Sequence, residues 1–356
     1  MTMLVTLVTP ARNAAAHLPA CLSSVLAQTH GALEWCVFDD GSSDETLALL
    51  ESARPLLAAR GCSLQVAASP PGSDARGCGY GRNRAIELSS PHSALLVFLD
   101  ADDVMHPKRV ELLLAASLAH PGALLGSRYW RDGDARPRDL AWHNGLSESQ
   151  LVTQRLRETT LAMPTWAMSR HTFQAGGCFA EDAPHNAEDL QFFYAHLRIG
   201  GALYRLDQAL LMYRHTEGGA CATRGVPASL IWAIRVRELE RVLAEPPWRE
   251  GFTVWNAGKE GRKLYRALSP EARRKVRSFA DVDERKIRVG WLHFEEGGDG
   301  GAPASLPVVH FSSAKPPLLL CVKALGLAGV VGQPGSFEAN LESLGLTEGR
   351  DYLHFS

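Results

Sequence analysis

A chain of 356 residues is longer than one hydrophobic core usually organises, so two domains are the default. Its 46% hydrophobic and 21% charged residues exclude a disordered or fibrous chain. A net charge of -2 excludes a generally basic nucleic-acid binder, although residues 224–288 hold 16 Lys and Arg against 9 Asp and Glu, a stretch that reads either as phosphate-facing or as a solvated helix surface. The longest apolar runs, residues 94–99 and 318–322, are strand-sized and far short of the roughly 20 residues that span a bilayer. The opening residues pass straight into a strand-like run without the charged lead and apolar core of a secretory signal, so a cytoplasmic location is expected. Seven cysteines, with no CxxC pair among them, suit free and mostly buried thiols in a reducing compartment.

In chain order, residues 4–9 read as a buried strand and residues 17–28 as a helix with an apolar stripe through Leu18, Cys21, Leu22, Val25 and Leu26. A second strand at 35–38 ends in Asp39 and Asp40, and a helix at 43–57 follows with Ser43 as a possible cap. A strand at 64–67, a glycine-rich turn, a helix at 81–88 and a strand at 94–99 complete the alternation. Such a pattern predicts an α/β fold with a doubly wound sheet, since crossovers are right-handed and leave few other arrangements. Helices are expected at 148–160, 187–198 and 227–243, and the pair Pro246-Pro247 suits a linker. Beyond it a smaller α/β pattern begins, with strands at 252–255, 278–282, 308–311 and 318–322 and a helix at 262–268. The domains are therefore drawn at 1–222 and 248–356, with a basic helix and linker over 223–247.

In an open α/β sheet ligands lie outside the carboxyl ends of the strands, and polar residues gather there in this sequence. Phe98-Leu99-Asp100-Ala101-Asp102-Asp103 is an apolar strand ending in clustered carboxylates, which repel unless a cation, solvent or hydrogen bonds compensate. Mg²⁺ or Mn²⁺ is the natural partner of such oxygens; the alternative is an acidic loop capping the next helix through Asp103. Phe38-Asp39-Asp40-Gly41-Ser42-Ser43-Asp44 offers a carboxylate to a base or ribose, or else a turn with a cap. Arg76-Gly77-Cys78-Gly79-Tyr80-Gly81-Arg82-Asn83 supplies cations and glycines that would suit phosphate neutralisation.

Together with the opening Thr9-Pro10-Ala11-Arg12-Asn13 and with Glu188-Asp189, these segments resemble glycosyltransferase family 2 with its GT-A fold, over about residues 4–215. The resemblance implies a nucleotide-sugar site that includes Thr9, Pro10, Asn13, Asp40, Arg82, Asp100 and Ala101, with Pro10 and Asp40 on uridine and Asp100 on ribose. It implies Asp102 on a metal bridging the two phosphates of a UDP donor and Asp189 as catalytic base. His215 resembles a family histidine that helps hold metal or diphosphate, but it follows Arg214 directly, where the family spacing leaves one residue between. Trp166 and Glu188 would lie near the acceptor, with Trp166 as a stacking platform or a core aromatic. No obligate protein partner and no membrane attachment are expected.

In the second α/β segment, Asn256-Ala257-Gly258-Lys259-Glu260-Gly261 followed by Asp281 and Asp283 resembles a truncated dinucleotide fingerprint on a Rossmann-like scaffold that has ceased to bind the cofactor. Residues 252–259, 281–284, 315–317 and 351–356 resemble the animal queuosine-tRNA galactosyltransferases. That resemblance implies UDP-galactose as donor and the cyclopentenediol of queuosine, at the tRNA wobble position, as acceptor. The alternative is a UDP-sugar transferase for a glycan or another cytosolic acceptor.

Overall fold

The computed structural model describes residues 2–133, 137–214, 225–294, 305–322 and 335–355. It divides into two compact units, Met1–Leu151 with Thr159–Leu230, and Val152–Glu158 with Ile231–Ser356.

The first unit runs β1 (Val5–Ala11), α1 (Leu18–Leu26), β2 (Leu33–Asp39), α2 (Thr46–Ala59), β3 (Cys62–Ala68), α3 (Cys78–Glu87), β4 (Leu95–Phe98), β5 (Val104–Met105), α4 (Arg109–Ala119), β6 (Leu124–Arg131), α5 (Pro137–Gly145), α6 (Glu148–Thr153), β7 (Ala167–Met168), α7 (Arg170–Ala175), α8 (Glu188–Arg198) and β8 (Leu203–Tyr213). Its eight strands lie in the order β3-β2-β1-β4-β7-β6-β8-β5. The first four are parallel, β7 runs antiparallel to β4 and β6, and β5 runs antiparallel to β8, so the sheet is mixed. Strands β2 and β4 are buried along their whole length, as befits a sheet covered on both faces; β4 is an unbroken apolar run in the sequence, while β2 is apolar apart from the buried Glu34 and the terminal Asp39. Val5, Leu7, Trp35, Val37, Leu95 and Val97 form the centre of the core.

Several expected helices change their bounds: those expected at 81–88 and 262–268 begin three residues earlier, at Cys78 and Lys259, and two others show the cause directly. The helix expected over 148–160 stops at Thr153 because the chain tightens into successive turns, with Arg155 N–H donating to Val152 and Arg157 N–H to Gln154. Helix α2 begins at Thr46, where Asp44 rather than Ser43 accepts the free N–H at 3.0 Å.

The second unit holds α9 (Ala228–Val242, whose first turn belongs to the first unit), β9 (Phe252–Trp255), α10 (Lys259–Ala267), α11 (Pro270–Arg274), β10 (Val276–Asp281), α12 (Glu284–Val289), β11 (Trp291–His293), β12 (Ser305–His310), β13 (Leu318–Leu320), α13 (Phe337–Glu342) and β14 (Tyr352–His354). The sheet order is β11-β12-β10-β9-β13-β14, parallel except for the edge strand β11. Taken in chain order the five parallel strands lie 3-2-1-4-5, the order of a doubly wound sheet with its crevice at the carboxyl ends of β9 and β13. Phe252, Val254, Leu264, Phe279, Leu319 and Phe355 fill its core.

Candidate active site

Register alone brings the polar strand ends together. In the parallel ladder Val8 pairs with Phe98 and Ala11 with Asp39, so the residues that follow β1, β2 and β4 emerge on one rim. Pro10, Asp40 and Asp100 therefore share that rim, with Asp102 two residues beyond.

Around Asp40 the rim is built by the backbone. Its Oδ2 accepts the N–H groups of Arg76 and Gly77 at 2.8 and 3.0 Å, while Oδ1 is buried and has no partner among the described residues. Burial pushes the Asp40 carboxyl above its ordinary value, partly offset by those two N–H groups and by the Arg12 and Arg76 cations. Arg12 donates to the Asp40 carbonyl and, at 2.8 Å, to that of Ser73. Asn13, in the left-handed region at φ 49, accepts from the Ser43 N–H at 2.9 Å and donates its own N–H to the Ser42 hydroxyl at 2.8 Å. It thereby ties the β1 loop to the β2 loop.

Thr9 does not reach the rim through its side chain. It is fully buried, and its hydroxyl accepts the indole N–H of Trp35 at 2.8 Å. The side chain of Thr9, which the family resemblance assigns to the nucleotide-sugar site, is thus engaged in a core hydrogen bond within a strand that is buried nearly throughout.

Arg82 is the centre of the site. Only 4% exposed, it donates from Nη2 to Asp100 at 2.9 Å and from Nη1 to Glu188 at 2.7 Å. Burial works against its charge, but Asp100, the Cys78 thiol and Glu188 outweigh that and hold the guanidinium above its ordinary value. Arg82 thus joins the end of β4 to the first turn of α8. There Asp189 accepts the N–H of Leu190 at 2.7 Å, at the positive end of the helix dipole. Glu188, expected at the acceptor, has Arg82 as its partner.

Beyond β4, Ala101 is buried and Asp102 partly exposed. Asp103 is fully buried: Oδ1 accepts the Arg214 N–H at 2.9 Å, and Oδ2 has no partner among the described residues. Burial, then Asp100 and Asp102, push its carboxyl well above the usual range. Arg214 closes this loop, donating from Nε to the Asp102 carbonyl at 3.0 Å and from Nη1 to Asp132 at 2.9 Å. Arg109, also buried, donates to the carbonyls of Phe98 and Pro164, both at 2.8 Å, and burial brings it down to about 10. Among the described residues no group of three or more His, Cys, Asp or Glu is arranged to hold a metal, and His215 lies outside them. Asp102 beside Asp100 nevertheless suits a hard cation, which takes one or two carboxylates and completes its shell with phosphate oxygens and water.

Of the two readings of Trp166, platform or core aromatic, the side chain has the packing of the second. It is 0% exposed, donates its indole N–H to the Leu161 carbonyl at 2.9 Å, and packs against Phe192 and Phe193 of α8. Sequence reasoning missed Arg109, at the start of α4, and Arg214, just past the end of β8, because neither stands beside a carboxylate in the sequence.

The second unit's fingerprint-like turn is saturated from within. Asp281 accepts from the Ala257, Val282 and Asp283 N–H groups and from Lys286 Nζ, all within 2.8–3.0 Å. Burial raises the Asp281 carboxyl, but Lys286 and the N–H donors outweigh it and bring it below its ordinary value. Asn256, at φ 132, spans from the Cys321 carbonyl to the Gly258 N–H.

Residues 6–177 match the sequence profile of glycosyl transferase family 2. The N-terminal unit is thus similar, over that stretch, to family 2 glycosyl transferases. An uncharacterized glycosyltransferase of Haemophilus influenzae is 26% identical over 227 residues, covering 59% of this chain and 65% of its own. A PGL/p-HBAD biosynthesis glycosyltransferase of Mycobacterium bovis is 30% identical over 154 residues, covering 42% and 54%. The matches thus span about two thirds and half of these relatives' lengths. Among solved structures, S. aureus TarS 1-349 in complex with UDP-GlcNAc superposes with a TM-score of 0.55 at 17% identity, covering 77% of this chain and 84% of that one, which shows a GT-A-like fold. No helix among the described residues is long and apolar enough to cross a membrane.

Proposed function

We propose that this chain transfers one hexose from a UDP-sugar to an acceptor hydroxyl with inversion at the anomeric carbon. The observation that carries the reading is the Arg82 bridge: one buried guanidinium joins the donor-side carboxylate Asp100 to the helix turn bearing Asp189. The partnerless Oδ1 of Asp40 suits an N–H donor such as that of a uracil ring, packed beside Pro10. Asp100 would accept from a ribose hydroxyl.

Asp102 would hold Mn²⁺ or Mg²⁺, with His215 as a further ligand, and the bound ion supplies charge neutralisation at the departing diphosphate. Asp189 takes the acceptor proton while the hydroxyl oxygen bonds to the anomeric carbon and the bond from that carbon to the β-phosphate oxygen breaks. Asp102 and Asp189 thus have separate tasks, one at the leaving group and one at the nucleophile.

A UDP-sugar transferase acting on a glycan or another hydroxylated acceptor is the reading that the M. bovis relative, named for PGL/p-HBAD biosynthesis, supports. The resemblance of the second unit to queuosine-tRNA galactosyltransferases supports a second reading, galactose transfer from UDP-galactose to queuosine in tRNA. The segments carrying that resemblance include the core residues Phe252, Val254, Trp255 and Phe355. One incubation separates the two. Purified protein, Mn²⁺ and either UDP-galactose or UDP-GlcNAc are offered oligosaccharide acceptors or queuosine-containing tRNA, and the products are weighed. A gain of one sugar on either acceptor class supports transfer and selects the acceptor; UDP binding with no sugar moved to any of them overturns the transferase reading.

A further inference from the structure

The segment Arg82-Asn83-Arg84 carries an inference that deepens the reading of Asp189 as base and rests on it. In the sequence Arg82 and Asn83 belong to a patch that suits phosphate neutralisation, yet their side chains and that of Arg84 all reach residues 179–188, the stretch that leads into α8. Arg82 meets Glu188 at 2.7 Å, and Arg84 meets Glu181 at 3.1 Å. Asn83, 7% exposed, grips the main chain of Phe179 from both sides: its Nδ2 donates to the carbonyl at 2.9 Å and its Oδ1 accepts the N–H at 3.2 Å. The same Nδ2 donates to Glu181 at 2.7 Å.

Two glycines make this approach possible. A Cβ on Gly77 would stand 2.5 Å from the Pro184 carbonyl oxygen, and one on Gly79 would stand 2.6 Å from that of Ala180 and 3.0 Å from the Glu188 side chain. From the other side Phe179 is locked by aromatic packing on Phe98, Phe173 and Phe192. Within the loop, Asn186 bonds Asp182 and Gln191 bonds the Asn186 carbonyl. The loop is thus fastened at its start by Asn83 and at its end by Arg82, with Asp189 one residue past the second fastening.

We propose that Asn83 is a positioning residue for sugar transfer: by clamping Phe179 and Glu181 onto α3 it sets where α8 begins, and so where the Asp189 carboxylate stands relative to the donor. Both ends of the Asn83 amide are taken up by Phe179 and Glu181, so the residue acts through them. A clamp of this kind acts on the chemical step and leaves donor binding alone, because misplacing a reacting group by about 1 Å costs up to about a hundredfold in rate.

The test compares wild type, Asn83→Ala and the milder Glu181→Ala, which removes only the outer half of the clamp. Asn83→Ala is expected to lower kcat about tenfold to a hundredfold, with KM for the UDP-sugar and the Kd for UDP by calorimetry within about twofold of wild type. Amide exchange should quicken over residues 179–190 and stay unchanged in β1 and β4. Glu181→Ala should show the same pattern at smaller amplitude. The reverse pattern, a raised UDP Kd with kcat retained, would mean that this segment binds phosphate and would overturn the proposal. Unchanged exchange over 179–190 in both variants would overturn it equally, whether or not the wild type transfers sugar. Failure of wild-type transfer by itself counts against the transferase reading, and the exchange pattern judges the clamp separately.

Discussion

Replacing Arg82 with methionine keeps most of the side-chain volume and removes the charge. In the native protein the guanidinium is 4% exposed and faces Asp100 and Glu188, whose side chains are 22% and 12% exposed, at 2.9 and 2.7 Å. Taking away one member of a buried charge pair leaves the others desolvated and costs about 3–5 kcal/mol. For a unit of this size about 1 kcal/mol corresponds to a Tm change of about 2–4 °C, so Arg82→Met should lower the unfolding midpoint of the first unit by roughly 6–20 °C. Adding Glu188→Gln to the same chain should recover part of that loss, because one of the stranded charges is then gone and the two substitutions are coupled. The assay is thermal unfolding by circular dichroism of wild type, both single variants and the double variant. A phosphate-binding arginine in an open site would lose less than about 1 kcal/mol on truncation. A Tm shift of under about 2 °C for Arg82→Met would therefore refute the strut and restore the leaving-group role read from the sequence.

Asp189→Ala should reduce transfer by at least about a hundredfold and leave the Kd for UDP within about twofold, read by single-turnover kinetics alongside calorimetry. His354 is buried, and burial together with the Arg157 cation, against the pull of Glu348, brings it down to about 4. Its folded pKa lies below the unfolded value of about 6.5, so the unfolded chain binds the extra proton: stability is full above about pH 6.5 and falls as pH drops toward 4, by on the order of 3 kcal/mol. His354→Gln should flatten that slope in urea titrations across this window. Gly261 faces the Asn256 carbonyl so closely that a Cβ would overlap it, and Gly261→Ala should destabilise the second unit by about 3 kcal/mol in the same titrations.

Much of the first unit was legible because its strands are long, apolar and buried on both faces, and because Asp40 and Asp100 follow them at the ends where a parallel register collects ligand-facing groups. Strands β5 and β7 were not legible: two residues carry no period, and their pairing with β8 and β4 is set by tertiary contact. Trp166 illustrates a second limit, since an indole serves equally as a wet platform or as core with its N–H satisfied, and only the Leu161 carbonyl decides. The arginines mislead for a related reason. Arg82 and Asn83 look like phosphate ligands beside glycines, but the glycines admit backbone from residues 180–184, and the charge is spent on carboxylates distant in sequence. In the second unit the Asn256 turn carries the outline of a dinucleotide site, while hydrogen bonds from Lys286 and three N–H groups occupy Asp281.

Sugar transfer of the proposed kind requires the rim formed by Asp40, Asp100 and Asp102 to take up a nucleoside diphosphate together with a divalent cation. Titration of UDP into the whole chain by calorimetry, with Mn²⁺ and again with EDTA, tests it directly. The account predicts binding with Mn²⁺, at least about tenfold weaker binding in EDTA, and the same weak binding for Asp102→Ala whether or not Mn²⁺ is present. UDP binding of equal strength in all of these conditions, or none in any, would contradict it.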